Sequence, residues 1–239
     1  DFTLKQLEMQ TLSKYIKDGQ KILDLGCGSG TTSFFLAENK SLEITGMDYS
    51  PEMVEYANND RDQKGIPTSK LNFSVQDIRN IHELVEEEGS LYDVVITERV
   101  LINLDTWKEQ KRAISGIIKL LRPGGIYLMC ENLQDGLDNM NAMRKMVGLE
   151  PITKPWHNRY LKMSEISEID FSELLEYRDF TSVYYLFSRV INAWLSKEKN
   201  EEPEYDAPIN KLALELSMSP QFDSLNLGQT RLWVFRRPE

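Results

Sequence analysis

The stretch DLGCGSG at residues 24–30 decides how the rest of the chain is read. The mostly apolar KIL at 21–23 leads into it, and a helix-like run with Phe34, Phe35, Leu36 and Ala37 follows. Three glycines in five residues place a tight turn between a strand and a helix, where backbone can come close to a ligand. The helix that opens next presents free N–H groups, which favour a carboxylate or a phosphate. The third glycine arrives one residue too early for the dinucleotide fingerprint G-x-G-x-x-G. No Gly-Lys-Ser/Thr follows, which excludes a P-loop.

Outward from this turn, strand and helix patterns alternate. An amphipathic helix is expected over 4–17, strands at KILDLG (21–26), LEITGMD (42–48), LNFSVQD (71–77), YDVVIT (92–97) and IYLMCEN (126–132). Ser29 or Thr31 is expected to cap the helix after the glycine turn, and Ser50-Pro51 to open the next one. A long helix from Asp105 carries Ile114, Ile117, Ile118 and Leu121 at helical spacing and stops at RPGG (122–125). Such alternation predicts an α/β fold: a mostly parallel sheet with helices on both faces and a ligand site beyond the carboxyl ends of the strands.

Acidic residues stand at those ends. Asp24 closes the first strand, Asp48 the second, Asp77 the third and Glu98 the fourth. Asp48 is placed to accept both hydroxyls of a ribose, Asp77 an adenine amino group, and Glu98 a ligand ammonium. A ligand with ribose, adenine, cation and carboxylate describes S-adenosylmethionine.

Asp24–Gly30, Asp48, Asp77, YDVVIT and LRPGG, in this order, resemble the class I S-adenosylmethionine-dependent methyltransferases over roughly residues 18–130. The resemblance implies a Rossmann-like seven-stranded sheet with an antiparallel last strand. It implies that Gly26, Cys27 and Gly28 line the methionine part, that Tyr49 and Met53 flank the ribose held by Asp48, and that Asp77 and Ile78 lie at the adenine. S-adenosylhomocysteine would be the product. ERVLINL, ENLQDGLDNMN and HNRY also resemble methyltransferases of bacterial surface-polysaccharide and sugar-nucleotide pathways, such as those for capsule or lipopolysaccharide. The Asn/Asp-Pro-Pro-Tyr and Pro-Cys signatures of enzymes that methylate DNA bases are absent after the fourth strand. No set of acidic ligands is aligned there for a metal, and none is expected.

After residue 132 the alternation lapses. One methyltransferase domain spans 1–239 in this reading, with 133–225 as a substrate-binding cap inserted in it. EISEIDF (165–171) alternates like a strand, and 181–195 reads as a helix capped by Thr181, with Val183, Phe187, Val190 and Trp194 on its core face. Tyr185, Arg189 and Asn192 then share the other face, suited to a polyhydroxyl or phosphate-bearing acceptor. RLWVFRR (231–237) is the last strand.

Methyl transfer to a hydroxyl needs a base near its proton. His157, in PWHNRY, is the first candidate and Glu131 the second. Arg99, Asn132, Asn158 and Tyr160 complete the expected acceptor contacts. The formal net charge of −10 argues against nucleic acid as partner. Two cysteines give no disulfide framework, and no apolar run could span a bilayer, so a cytoplasmic enzyme on a small molecule is expected. The acceptor is read as a sugar or nucleotide-linked hydroxyl. The rival readings are methylation of an amine, a non-catalytic binding protein of methyltransferase form, and a nicotinamide dehydrogenase.

Overall fold

The computed structural model describes residues 1–88, 92–170 and 172–239, with 86–88 and 224 described by backbone alone. Helix α1 (Phe2–Ser13) is capped by Asp1, whose side chain accepts from the Leu4 amide. Strand β1 (Lys21–Leu25) runs into the glycine turn, and α2 (Thr31–Asn39) leaves it. Neither Ser29 nor Thr31 caps α2. Gly30 does so in the left-handed region at φ 80°, with no side-chain bond. A Cβ there would overlap the Phe73 ring, so packing as well as conformation calls for glycine.

Strand β2 (Glu43–Asp48) is followed by α3 (Pro51–Gln63), opened by Ser50 and Pro51 as expected; the Ser50 hydroxyl accepts from the Met53 amide at 3.3 Å. Then come β3 (Leu71–Val75), α4 (Ile81–Glu88), β4 (Tyr92–Glu98) and α5 (Trp107–Leu120). Helix α5 begins in a reciprocal capping box between Thr106 and Glu109. Strand β5 (Leu121–Asn132) precedes α6 (Gln134–Met146).

Among the described residues the strands form a seven-stranded sheet, ordered β3-β2-β1-β4-β5-β7-β6, with β7 (Thr230–Arg236) antiparallel to both neighbours. Helices pack on both faces. Ile22, Ile44, Val94, Ile96 and Leu128 fill one core, and Leu23, Leu25, Val95, Tyr127 and Met129 the other. Strand order reverses between β1 and β4, and a crevice opens there at the carboxyl ends.

Beyond residue 132 one expectation fails and another holds only in part. Residues 163–166 form a short helix, α7, and the sixth strand is β6 (Glu173–Arg178). Strand β6 is an edge strand whose first four residues are exposed, so ELLEYR carries no buried alternation to read. It joins the sheet, so the segment 133–225 is not all cover. The expected helix at 181–195 is α8 (Ser182–Tyr185), a π-helical stretch (Leu186–Ile191) and α9 (Asn192–Glu198). Val183, Phe187 and Val190 face the core as expected, but past the π turn the face shifts. Trp194 is exposed, while Tyr185 is buried among core residues. Thr181 does not cap with its side chain, because its hydroxyl donates to the Thr230 carbonyl. Helix α10 (Pro208–Ser217) packs on α8 and α1.

Candidate active site

A cleft of about 590 Å³ opens at the strand-order reversal. Leu25 and Gly26 from the glycine turn form part of its wall, with Tyr49 after β2 and Gln76–Arg79 after β3. Val100 and Asn103–Asp105 after β4 continue it, and Trp156–Arg159 close the far side.

The glycine turn is fixed from below. The Gly26 and Cys27 amides donate to the Met47 carbonyl at 2.6 and 3.0 Å. Gly26 and Gly28 hold φ of 70° and 53°, and a Cβ on Gly26 would overlap the Val100 side chain. Asp48 is buried at the end of β2 and accepts from the Gly28 amide (2.8 Å) and the Ser50 amide (3.0 Å). Each carboxylate oxygen retains a free lone pair for a diol. Asp77 sits on the cleft wall, and the Arg79 guanidinium beside it holds its carboxyl below the usual range. Ile78 lies next to it, and Tyr49, 70% exposed, stands free at the rim.

Other expected cofactor residues are placed differently. Asp24 is buried beneath the turn and accepts from Ser33 at 2.6 Å; burial pushes its carboxyl up to about 6. It braces the turn from outside the cleft. The Cys27 side chain packs toward Gly46, and burial pushes its thiol up, which suits space filling rather than nucleophilic chemistry. Met53 lies half-exposed on α3 and is not a wall residue. Glu98 is buried, paired with Lys5 of α1 and bonded by the Thr32 hydroxyl at 2.8 Å. Lys5 therefore takes the place expected for a ligand ammonium.

The acceptor residues divide into two groups. His157 and Asn158 line the cleft. The Asn158 side chain donates to Asn103 at 3.0 Å, and the Arg159 amide to the Ile102 carbonyl at 2.7 Å, which pins this loop to the turn after β4. Trp156, 95% exposed, meets His157 edge-on with centroids 5.5 Å apart. Asn132, Tyr160 and Tyr185 are instead buried behind the cleft wall. Thr230 links two of them, donating to Asn132 at 2.8 Å and lying 3.5 Å from the Tyr185 hydroxyl. Arg99 sits beside this group at φ 58° and pairs with the fully buried Glu8. Burial raises the Glu8 carboxyl, against the pull of Arg99. The pairing of Arg99 with Glu8 had no sequence signal, because the two residues lie 91 apart along the chain.

Arg189 forms an ion pair with Asp1 at 2.6 Å, and the Asn192 side chain donates to the Glu204 carbonyl. The expected open Tyr/Arg/Asn face is thus absorbed by contacts within the chain. Glu131 is fully buried away from the cleft, one oxygen holding the Val100 and Leu101 amides, so it is not placed as a base. Val100 and Asn103 lie within ERVLINL and Trp156 within PWHNRY, but they were not singled out, nor were Arg79 and Asp105, all of which line the cleft.

The wall fits S-adenosylmethionine. Backbone at Gly26 can approach a ligand where a side chain could not, and Asp77 with Ile78 offers a polar and an apolar contact for a base, while the Asp48 carboxylate that ends β2 lies buried next to Tyr49, off the wall itself. Among the described residues no helix is long and apolar enough to cross a membrane, and no three His, Cys, Asp or Glu side chains gather as for a metal ion.

Comparison with known proteins agrees with this geometry. A family model described as a methyltransferase domain matches residues 16–167. A ubiquinone biosynthesis O-methyltransferase of Coxiella burnetii is 25% identical over 185 residues, 76% of this chain and 73% of the relative. An O-methyltransferase of Pyrenophora dematioidea is 27% identical over 66% of this chain and 52% of its own length. Among solved structures, magnesium protoporphyrin IX methyltransferase of Synechocystis with bound S-adenosylhomocysteine superposes with a TM-score of 0.60 at 18% identity, covering 98% of this chain and 83% of that one. The cyclase SpnF superposes at 0.62 with 17% identity, over 98% and 80%, so the fold by itself does not specify the reaction. Glycine turn, acidic strand ends, sheet order and family match converge: this chain belongs to the methyltransferase-domain family, the class I S-adenosylmethionine-dependent methyltransferases.

Proposed function

We propose that this protein transfers the methyl group of S-adenosylmethionine to a hydroxyl oxygen of a small polyhydroxylated acceptor, a sugar or nucleotide-linked sugar. One observation carries the reading: a single cleft joins the Gly26 turn and Asp77–Ile78 to a polar wall of Asn103, Asp105, His157 and Asn158. The first part suits the cofactor. The second offers hydrogen-bonding groups of both signs, as a polyol requires. The segment 133–225 supplies this acceptor side through its loop at 156–159.

When bound, the cofactor supplies a methyl group already activated by its positive sulfur. Gly26, Asp48, Tyr49, Asp77 and Ile78 hold and orient it, and positioning accounts for much of the rate. His157 takes the acceptor proton as the oxygen attacks, and then releases it to solvent. An amine acceptor would need less help from a base.

The curated relative named for ubiquinone biosynthesis favours a second acceptor class, a phenol, in the same cleft. A panel of sugar nucleotides, phenols and amino sugars, incubated with S-adenosylmethionine and analysed by mass spectrometry and NMR, separates these. O-methylated sugar nucleotide is the expected product. Methylation confined to phenols or amines would contradict the carbohydrate reading. His157→Ala is expected to lower kcat by about 10²–10⁴ with cofactor affinity retained. Unchanged turnover would remove His157 as the base.

A further inference from the structure

Glu131 ends β5 with its side chain fully buried, a costly position for a carboxylate. Its Oε1 accepts from two consecutive amides, Val100 and Leu101, each at 3.0 Å. Its Oε2 is buried without a hydrogen-bond partner. Just before these amides the chain passes through Arg99 at φ 58°, and the Arg99 amide donates to the Cys130 carbonyl at 2.9 Å. The turn after β4 is therefore fastened to the end of β5 by two adjacent residues, Cys130 and Glu131. A left-handed arginine persists only where its surroundings hold it.

What this turn carries is Val100. Its side chain stands over Gly26 so closely that a Cβ on Gly26 could not fit, and both residues line the cleft. Gly26 itself is pinned by the Met47 carbonyl. A displacement of Val100 thus has no slack to absorb it and alters the cleft wall directly.

We propose that Glu131 is a positioning residue for cofactor binding: its buried carboxylate fixes the Val100–Leu101 turn, so that Val100 and Gly26 together form the wall against which S-adenosylmethionine binds. The proposal rests on the reading that this cleft holds the cofactor. A carboxylate suits the task because two N–H groups converge on one oxygen, and such charge-assisted bonds are the stronger kind. Burial pushes the Glu131 carboxyl up to about 7, with the Leu101 and Val100 amides pulling against it. The Thr97 hydroxyl also faces it, and its charge reaches the Tyr127 and Cys130 side chains.

The test compares wild type, Glu131→Ala, Glu131→Gln and Val100→Ala by circular dichroism, by S-adenosylhomocysteine titration and by steady-state kinetics. Folded Glu131→Ala is expected to bind S-adenosylhomocysteine at least about tenfold more weakly, the scale of losing hydrogen bonds to a charged group. Glu131→Gln should recover most of that loss, because its amide oxygen can still receive both N–H groups. Acceptor KM, measured at saturating cofactor, should move little in either. Should Glu131→Ala fail to fold, Val100→Ala decides: it keeps the carboxylate anchor, and weakened cofactor binding with steady acceptor KM is expected. Wild-type affinity in a folded Glu131→Ala or in Val100→Ala overturns the proposal. So does a Glu131→Gln variant that binds cofactor normally but has lost turnover, since that would mark proton transfer. If wild type itself binds no S-adenosylhomocysteine, the reading of the cleft falls first and the proposal with it.

Discussion

Asp48 and Glu98 both end parallel strands with side chains largely out of solvent, yet only Glu98 is paired with a cation. Asp48 is held by two backbone amides of the glycine turn and the following loop, which orient its oxygens and leave lone pairs free. Glu98 is neutralised by Lys5 and bonded by Thr32, so its charge is already answered. From the sequence the two look alike, because what separates them is a lysine on the first helix, brought near only by folding. Gly26 was legible for the opposite reason. Its requirement for φ near 70° is a local property of the turn, and glycine meets it best. Replacing Asp48 by alanine removes charge-assisted bonds within the turn and to a ribose together, so a loss of about 10–100-fold in cofactor affinity is expected.

Elements with strong local patterns were read correctly, and the weak ones were not. Strands β1, β2, β4 and β5 carry buried apolar runs, β3 alternates Leu71 and Phe73 inward, and Ser50-Pro51 opens α3 as its residue types require. Strand β6 was misplaced because an exposed edge strand needs no apolar face. The π turn at Leu186–Ile191 broke the helical register on which the Tyr185/Arg189/Asn192 face was built. Helix α6 shows how tightly the later elements are seated. Gly136 faces the Gly228 carbonyl where a Cβ would overlap it, and the Leu133 amide donates to the Gln229 carbonyl at 2.8 Å. Gly136→Ala forces α6 away from the turn before β7. Overpacking of this kind costs roughly 1–3 kcal/mol, so a melting temperature lower by about 2–12 °C is expected in thermal unfolding. An unchanged or raised value would mean that the helix can shift freely.

The whole molecule carries an unusual set of buried acids. Burial raises Asp24 to about 6, Asp179 to about 6 and Glu131 to about 7. Between the ordinary carboxylate range and neutrality, the folded chain keeps protons that the unfolded chain has released. Unfolding then releases protons, and stability declines as the pH rises through that window. The formal charge of −10 adds self-repulsion in the same direction. Melting temperature is expected to fall from about pH 5 to about pH 7.5, with a shallower slope in Glu131→Gln. A melting temperature that rises across this range would contradict the buried-acid account. Arg99 and Tyr185 were legible as polar residues, but not their burial beside Glu8, which joins α1, the turn after β4 and α8, far apart along the chain.

The central claim is that the glycine turn and the β2 carboxylate form a cofactor site. Calorimetric titration of S-adenosylhomocysteine into wild type and Asp48→Ala tests it most directly. Saturable binding to wild type, weakened at least about tenfold in a folded Asp48→Ala, is the predicted result. No binding to folded wild type, or equal binding to both, would contradict the account.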